Sequence, residues 1–352
     1  MIRTIYFGLI ALFGIFLTTG CGQTQKDERK PLPIPLAESA PMIQIERFEH
    51  DLFESKIPID TSRIRYLANK YGDFFEFWCV QLAMIIPPGK GKPSDELIAY
   101  NLSQYVQDKY IKEVYAESQK QFVEIEWLKK DLSPIWQRYR EGFPNSTVPA
   151  VITYLSPFSS NVMAMDSMLG IGLHFYFGKD YKYYPTLQLP GYMIRKMERA
   201  YIVNDLLRGW LESEFFSDSV EKNCLSQMIF QGKILYASEV LAPDIPDTIL
   251  TGYSDLQLNW TNNNEAKIWS FFIEQGMLYK TNPKVYLKYI HDGNTTSGFP
   301  KDAPARLGGF IGWQIVRSYM QAHPEMTLEQ LFKIRDAQFI LSNSGYKPRK
   351  TS

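Results

Sequence analysis

Asn204-Asp205-Leu206-Leu207-Arg208 stands at the spacing of His-Glu-x-x-His. In that pattern two imidazoles one helical turn apart hold Zn²⁺, and the glutamate between them is the general base. Gln231, followed by Gly232, falls where a second helix would add a third, carboxylate ligand. Asn204 and Arg208 are i and i+4 and share a helix face, but neither can act as an imidazole. Arg208 is a permanent cation that repels Zn²⁺, and Gln231 is a neutral amide. In this register Asn204, Asp205, Arg208 and Gln231 are the positions of a dismantled metal site. We therefore expect no metal, no cofactor and no catalytic residue. A plainer reading makes Asp205 and Arg208 an i,i+3 ion pair on a solvated face and Gln231 a surface amide.

Other catalytic patterns are missing. The sequence has no Gly-x-Ser-x-Gly elbow and no Walker or Rossmann glycine loop. His174 reads as a mid-strand structural histidine, and His50, His291 and His323 are scattered with no assigned role. Asp244-Ile245-Pro246-Asp247 reads as a turn and helix cap before a cation loop. Tyr181, Tyr183, Tyr184 and Tyr192 read as a packed edge before a ligand platform. Arg306-Leu307-Gly308-Gly309-Phe310-Ile311-Gly312-Trp313 places glycines in a helical pattern, where each costs about 1 kcal/mol relative to alanine. Close helix packing, or a ligand approaching the backbone, would justify them.

The elements that carry these residues fall in two stretches. Residues 43–53 roughly alternate like a short strand, and 60–140 carry apolar stripes at the helical period. Ile64, Leu67, Ala68 and Tyr71 form one stripe, Leu97, Ile98, Leu102 and Tyr105 a second. Phe122, Ile125, Leu128, Leu132, Ile135 and Trp136 form a third. Strands are expected over 148–155, 161–164 and 170–177, then helices over 201–216, 219–236 and 306–323. The predicted class is α+β, mostly helical, with a small sheet packed on helices.

Met1-Ile2-Arg3 is basic, residues 5–17 are apolar, and Thr18-Thr19-Gly20-Cys21 follows. This order reads as a lipoprotein signal peptide over 1–20, with Cys21 as the lipid attachment point. Residues 21–41 are polar and proline-rich and read as a lipidated tether. A free stretch of that length reaches about 65 Å when extended. A single domain follows over 42–350, helical over 60–145 and sheet-containing over 146–350.

Composition narrows the function classes. The 352 residues are 45% hydrophobic and 14% aromatic, which supports a large core. Lys+Arg 38 against Asp+Glu 38 leaves no basic field for nucleic acid. With Cys21 assigned to the lipid, Cys79 and Cys224 remain, and they read as two buried free thiols before a disulfide of an exported protein.

As a set, several segments resemble the gliding motility lipoprotein GldB family. They are Arg47-Phe48-Glu49-His50-Asp51-Leu52-Phe53, Gly178-Lys179-Asp180-Tyr181-Lys182-Tyr183-Tyr184 and Tyr201-Ile202-Val203-Asn204-Asp205. Met228-Ile229-Phe230-Gln231-Gly232-Lys233-Ile234-Leu235-Tyr236, Gly312-Trp313-Gln314-Ile315-Val316-Arg317-Ser318-Tyr319 and Ser344-Gly345-Tyr346-Lys347-Pro348-Arg349 complete them. The resemblance covers nearly the whole chain after the signal. It implies a lipid-anchored, non-catalytic protein of the cell envelope that binds envelope proteins of a motility or secretion-associated apparatus. Members also occur in bacteria that do not glide. The chain is also distantly similar to zincin-type metallopeptidases, which implies a degenerate zincin-like fold over 146–350. The competing expectation is an envelope metallohydrolase or other peptidase with unrecognised ligands.

Overall fold

The computed structural model describes residues 29–36, 43–87, 93–216 and 222–349. The signal segment and Cys21 lie outside the described residues. Four short strands form one mixed sheet: β1 (Ile45–Arg47), β2 (Ala150–Tyr154), β3 (Val162–Met165) and β4 (Met168–Gly172). Their spatial order is β1-β2-β4-β3. The first two pairings are parallel and β3 runs antiparallel to β4, with Val162 opposite Ile171. β3 is thus an edge strand, turned back by a tight turn in which Asp166 has φ 31°. A sheet with parallel pairs needs cover on both faces, and side-chain alternation along β2 provides for it. Val151 joins a large core with Leu169 and Ile171, while Ile152 and Tyr154 join a second core built from helices over 48–111. The mostly helical α+β class is as expected.

Several boundaries differ from the sequence reading. The alternation over 43–53 is a strand only to Arg47; Phe48–Phe53 is a helix whose Phe48 packs edge-on to Tyr71, Phe74 and Trp78. Aromatic packing decides the matter where local alternation favoured a strand. The last strand stops at Gly172, and Leu173–Phe175 is a 3-10 turn, so His174 is not mid-strand. Leu97 faces solvent, whereas Ile98, Leu102 and Tyr105 of the same stripe are buried. Residues 29–36 of the expected tether lie against the domain. Arg29 forms a bidentate pair with the buried Glu265 at 2.8 and 2.7 Å, and the Ile34 N–H donates to the Val240 carbonyl at 3.3 Å. Any free tether is correspondingly shorter than the twenty-residue reach expected from composition.

Three helices organise the large core. The central helix, Cys224–Leu241, is buried over nearly its whole length and starts at a capping box between Asn223 and Ser226. The glycine helix, Leu307–Ala322, crosses it. At that crossing a Cβ on Gly312 would lie 1.7 Å from the Met228 carbonyl oxygen, and one on Gly232 would lie 2.3 Å from the Gly312 carbonyl. Close helix packing therefore accounts for Gly312. The site helix, Ile202–Phe215, packs on β3 and β4. It approaches closely at Gly209, where a Cβ would meet Val162 Cγ1 at 2.7 Å.

Cys79 and Cys224 are buried free thiols. His174 is fully buried, and burial pushes its imidazole down to about 3. Its Nε2 lies 3.4 Å from the Ser156 hydroxyl, and among the described residues no carboxylate bonds to either group. The neutral ring has a consequence for acid stability. Between pH 6.5 and about 3 the unfolded chain binds a proton that the native chain does not. Stability is complete above the unfolded value and falls with pH below it, by up to about 1.4 kcal/mol per unit. Urea midpoints measured from pH 7 to pH 5, where carboxylates contribute little, should fall for the wild type. They should stay flatter for His174→Gln. Equal slopes would remove His174 as the cause.

Candidate functional site

The site helix presents Asn204, Asp205, Arg208 and Glu212 to a cleft of about 380 Å³. Asn161, just before β3, and Tyr176, just after the 3-10 turn, close the sheet side. Lys196, Tyr201, Asp292 and Arg306 also line the cleft, with the Gly252 turn. Six ionisable side chains thus meet in one cleft, three cationic and three acidic.

Each one has a defined setting. Arg208 donates from Nε to Glu212 at 2.8 Å and from Nη2 to the Gln231 amide oxygen at 2.6 Å. Burial opposes its charge, but Glu212 and Asp205 overcome this and hold the guanidinium more firmly charged than usual. Asp205 accepts from the Tyr176 hydroxyl at 2.8 Å and, at longer range, from the Asn204 and Asn161 amides. Burial raises its carboxyl above the usual range, against the opposing pull of Tyr176 and Lys196. Lys196 pairs with Asp292. Burial and the neighbouring Arg306 push the Lys196 ammonium down. Asp292 stays low because Arg306 and Lys196 outweigh its burial.

The four positions singled out by spacing therefore do come together. Arg208 bridges the site helix to Gln231 on the central helix, filling the space between them. The i,i+3 ion pair with Asp205 does not form as a contact; the partner of Arg208 is Glu212, one turn on, where the geometry is direct. Among the described residues no three His, Cys, Asp or Glu side chains converge as a metal site would require. Of the three carboxylates in the cleft, Glu212 is paired with Arg208, Asp292 with Lys196, and Asp205 accepts from a phenol and two amides, an arrangement that suits hydrogen bonding better than a divalent cation.

The other sequence candidates fall elsewhere. Asp247 opens a short helix, with Pro246 as its cap, and lies 3.9 Å from Arg317 and 3.8 Å from Lys30. The loop is a turn into a helix, but no side chain caps that helix. Tyr181 and Tyr184 are buried edge-to-face, Tyr183 bonds to Glu113, and only Tyr192 reaches the cleft. Sequence reasoning missed Asn161, Tyr176, Lys196 and Asp292 and met Arg306 only as the residue before a glycine run. Arg306 carried one usable signal, a cation at the start of an otherwise apolar helix. The others come from separate loops and carried none.

The fold and the cleft define a mostly helical α+β protein whose central charged groups are bonded chiefly to one another. A family model described as gliding motility protein GldB matches residues 33–348. The chain belongs to the gliding motility protein GldB family. No curated protein and no solved structure gives a significant match. Among the described residues no helix is long and apolar enough to cross a membrane.

Proposed function

We propose that this protein is a non-catalytic, lipid-anchored component of the cell envelope that holds a protein partner of a motility or secretion-associated apparatus in the cleft above the site helix. The observation that carries the reading is the Arg208 guanidinium between Glu212 and Gln231. In the zincin-like register Arg208 stands at a ligand position, and two helices hold its guanidinium. Membership of the GldB family supports the envelope setting and the link to motility. Loss of zinc ligands from a once zincin-like cleft fits this arrangement. Crosslinking and capture from envelopes, with the cleft variant Tyr192→Ala alongside the wild type, tests it. One recurrent partner, lost in that variant, is the expected result; capture unaffected by the variant would move the partner off the cleft.

A hydrolase reading would rest on Asp205, a buried carboxyl raised in a cleft beside Lys196. Against it, Asp205 already accepts from the Tyr176 hydroxyl at 2.8 Å and, at longer range, from two amides, the setting of a structural acceptor.

Anchoring is assigned to Cys21, which follows a basic, apolar and small N-terminal sequence. Cys21→Ala should lose acyl labelling and leave the membrane fraction. Bacterial lipoproteins carry several acyl chains, and one chain alone would hold only marginally. Full membrane retention without acylation would contradict the assignment.

A further inference from the structure

Arg306 stands apart from the other cations of the cleft. Arg208 has Glu212, and Lys196 has Asp292, but no carboxylate lies within 4 Å of the Arg306 guanidinium among the described residues. Its bonded partner is a neutral one, the Thr251 carbonyl. The residue is also strained. Its φ of 59° and ψ of 29° put a long side chain in the left-handed region, at the cap of the glycine helix. A non-glycine residue there costs about 1–2 kcal/mol. Glycine or asparagine would serve the turn at less cost, so the backbone gives no reason for an arginine. Burial and the nearby Arg208 oppose its charge more than Asp292, Tyr253 and Glu212, none of them bonded to it, support it. A strained, desolvated guanidinium lining an open cleft with no carboxylate in direct contact is a recognition group for one.

The surroundings select the ligand. Tyr192, Met193, Tyr201, Ile249 and Leu250 give the cleft apolar lining, with Ile249 and Leu250 just before Thr251, whose carbonyl accepts from Arg306. Asp292 and Glu212 line the same cleft, so a dianion such as phosphate meets like charge. A monoanion with an apolar neighbour meets less of that repulsion. The volume of about 380 Å³ lies in the range of small-ligand sites.

We propose that Arg306 binds a carboxylate of the protein partner, with the apolar lining of the cleft taking the side chain next to it. This rests on the partner-binding reading above and names the chemistry by which the cleft recognises its partner. The carboxylate comes from a chain end or from an acidic side chain, and both have the same chemistry at the guanidinium.

Three probes separate the sources: N-acetyl-Ala-Leu-Phe with a free carboxylate, the same peptide as its amide, and N-acetyl-Ala-Glu-Phe-amide. Each is titrated into the full-length protein in detergent. At least one carboxylate probe should bind about tenfold tighter than the neutral amide, a difference of about 1.4 kcal/mol. Acetate should compete with it. Binding of the first probe alone assigns a chain end; binding of the third assigns an acidic side chain. Arg306→Asn, which keeps a residue suited to the left-handed turn, should lose the preference. Tyr192→Ala should weaken the carboxylate probe while keeping its preference over the amide, and it serves if the Arg306 variant does not fold. Equal affinity for carboxylate and amide, binding of neither, or full carboxylate preference in Arg306→Asn would overturn the proposal. Envelope capture keeps the two readings apart. A partner that Arg306→Asn still captures and Tyr192→Ala loses ends the carboxylate proposal and leaves partner binding standing.

Discussion

Gly312→Ala should destabilise the protein by about 3 kcal/mol or more, at or above the upper end of overpacking costs. The new Cβ would lie 1.7 Å from the Met228 carbonyl oxygen and 2.4 Å from its carbonyl carbon. Those are backbone atoms of the neighbouring helix, and no rotamer change moves them aside. The central and glycine helices would have to separate along their whole contact. A loss of that size is a large part of the roughly 5–15 kcal/mol that stabilises a typical domain. Gly309→Ala is the matched control, because its Cβ would meet Gln231 Cβ at 3.4 Å, ordinary contact. There alanine gains up to about 1 kcal/mol in helix propensity. Urea unfolding should therefore give shifts of opposite sign for the two variants. Shifts of the same sign and size would show that the crossing is not held at Gly312.

Arg317→Met should cost about 3–5 kcal/mol, the usual effect of breaking a buried ion pair from one side. Glu239 and Arg317 are each about 2% exposed at the side chain. Arg317 reaches Glu239 through Nε at 2.9 Å and Nη2 at 2.5 Å. Its guanidinium carbon sits 3.6 Å from the Trp313 ring centroid, and Trp313 Nε1 donates to the same carboxylate at 3.1 Å. Removing the arginine strands Glu239 between two helices, with only the indole as a direct donor among the contacts described. Glu239→Leu combined with Arg317→Met should recover much of the loss, since an apolar pair avoids the desolvation cost. A double variant as unstable as the sum of the single ones would show that charge pairing is not what the site contributes.

How much was legible beforehand differs between fold and site. The helical stripes at Ile64, Leu67 and Tyr71 and at Leu128, Leu132 and Trp136 are buried as the period requires. The α+β class followed from such patterns together with the β-branched run at 150–154. Phe48 was misread because its partners, Tyr71, Phe74 and Trp78, lie well along the chain and six residues of alternation cannot show them. Asn204, Arg208 and Gln231 were legible because one helix turn and one helix pair fix their spacing. Lys196, Asp292 and Arg306 were not, because they reach the cleft from three loops or helix ends. Long-range closure of that kind leaves no periodic trace in a single sequence. The Arg208 partner was likewise hidden, since i+3 and i+4 carboxylates are equivalent on spacing and only the side-chain directions chose Glu212.

The central claim is that the cleft is closed to metal by Arg208 and its partners and works by binding. Elemental analysis of the purified full-length protein, incubated with Zn²⁺ and then desalted, tests it most directly. The account predicts zinc far below one per chain and no change on Asp205→Ala. One zinc per chain, lost in Asp205→Ala, would contradict it.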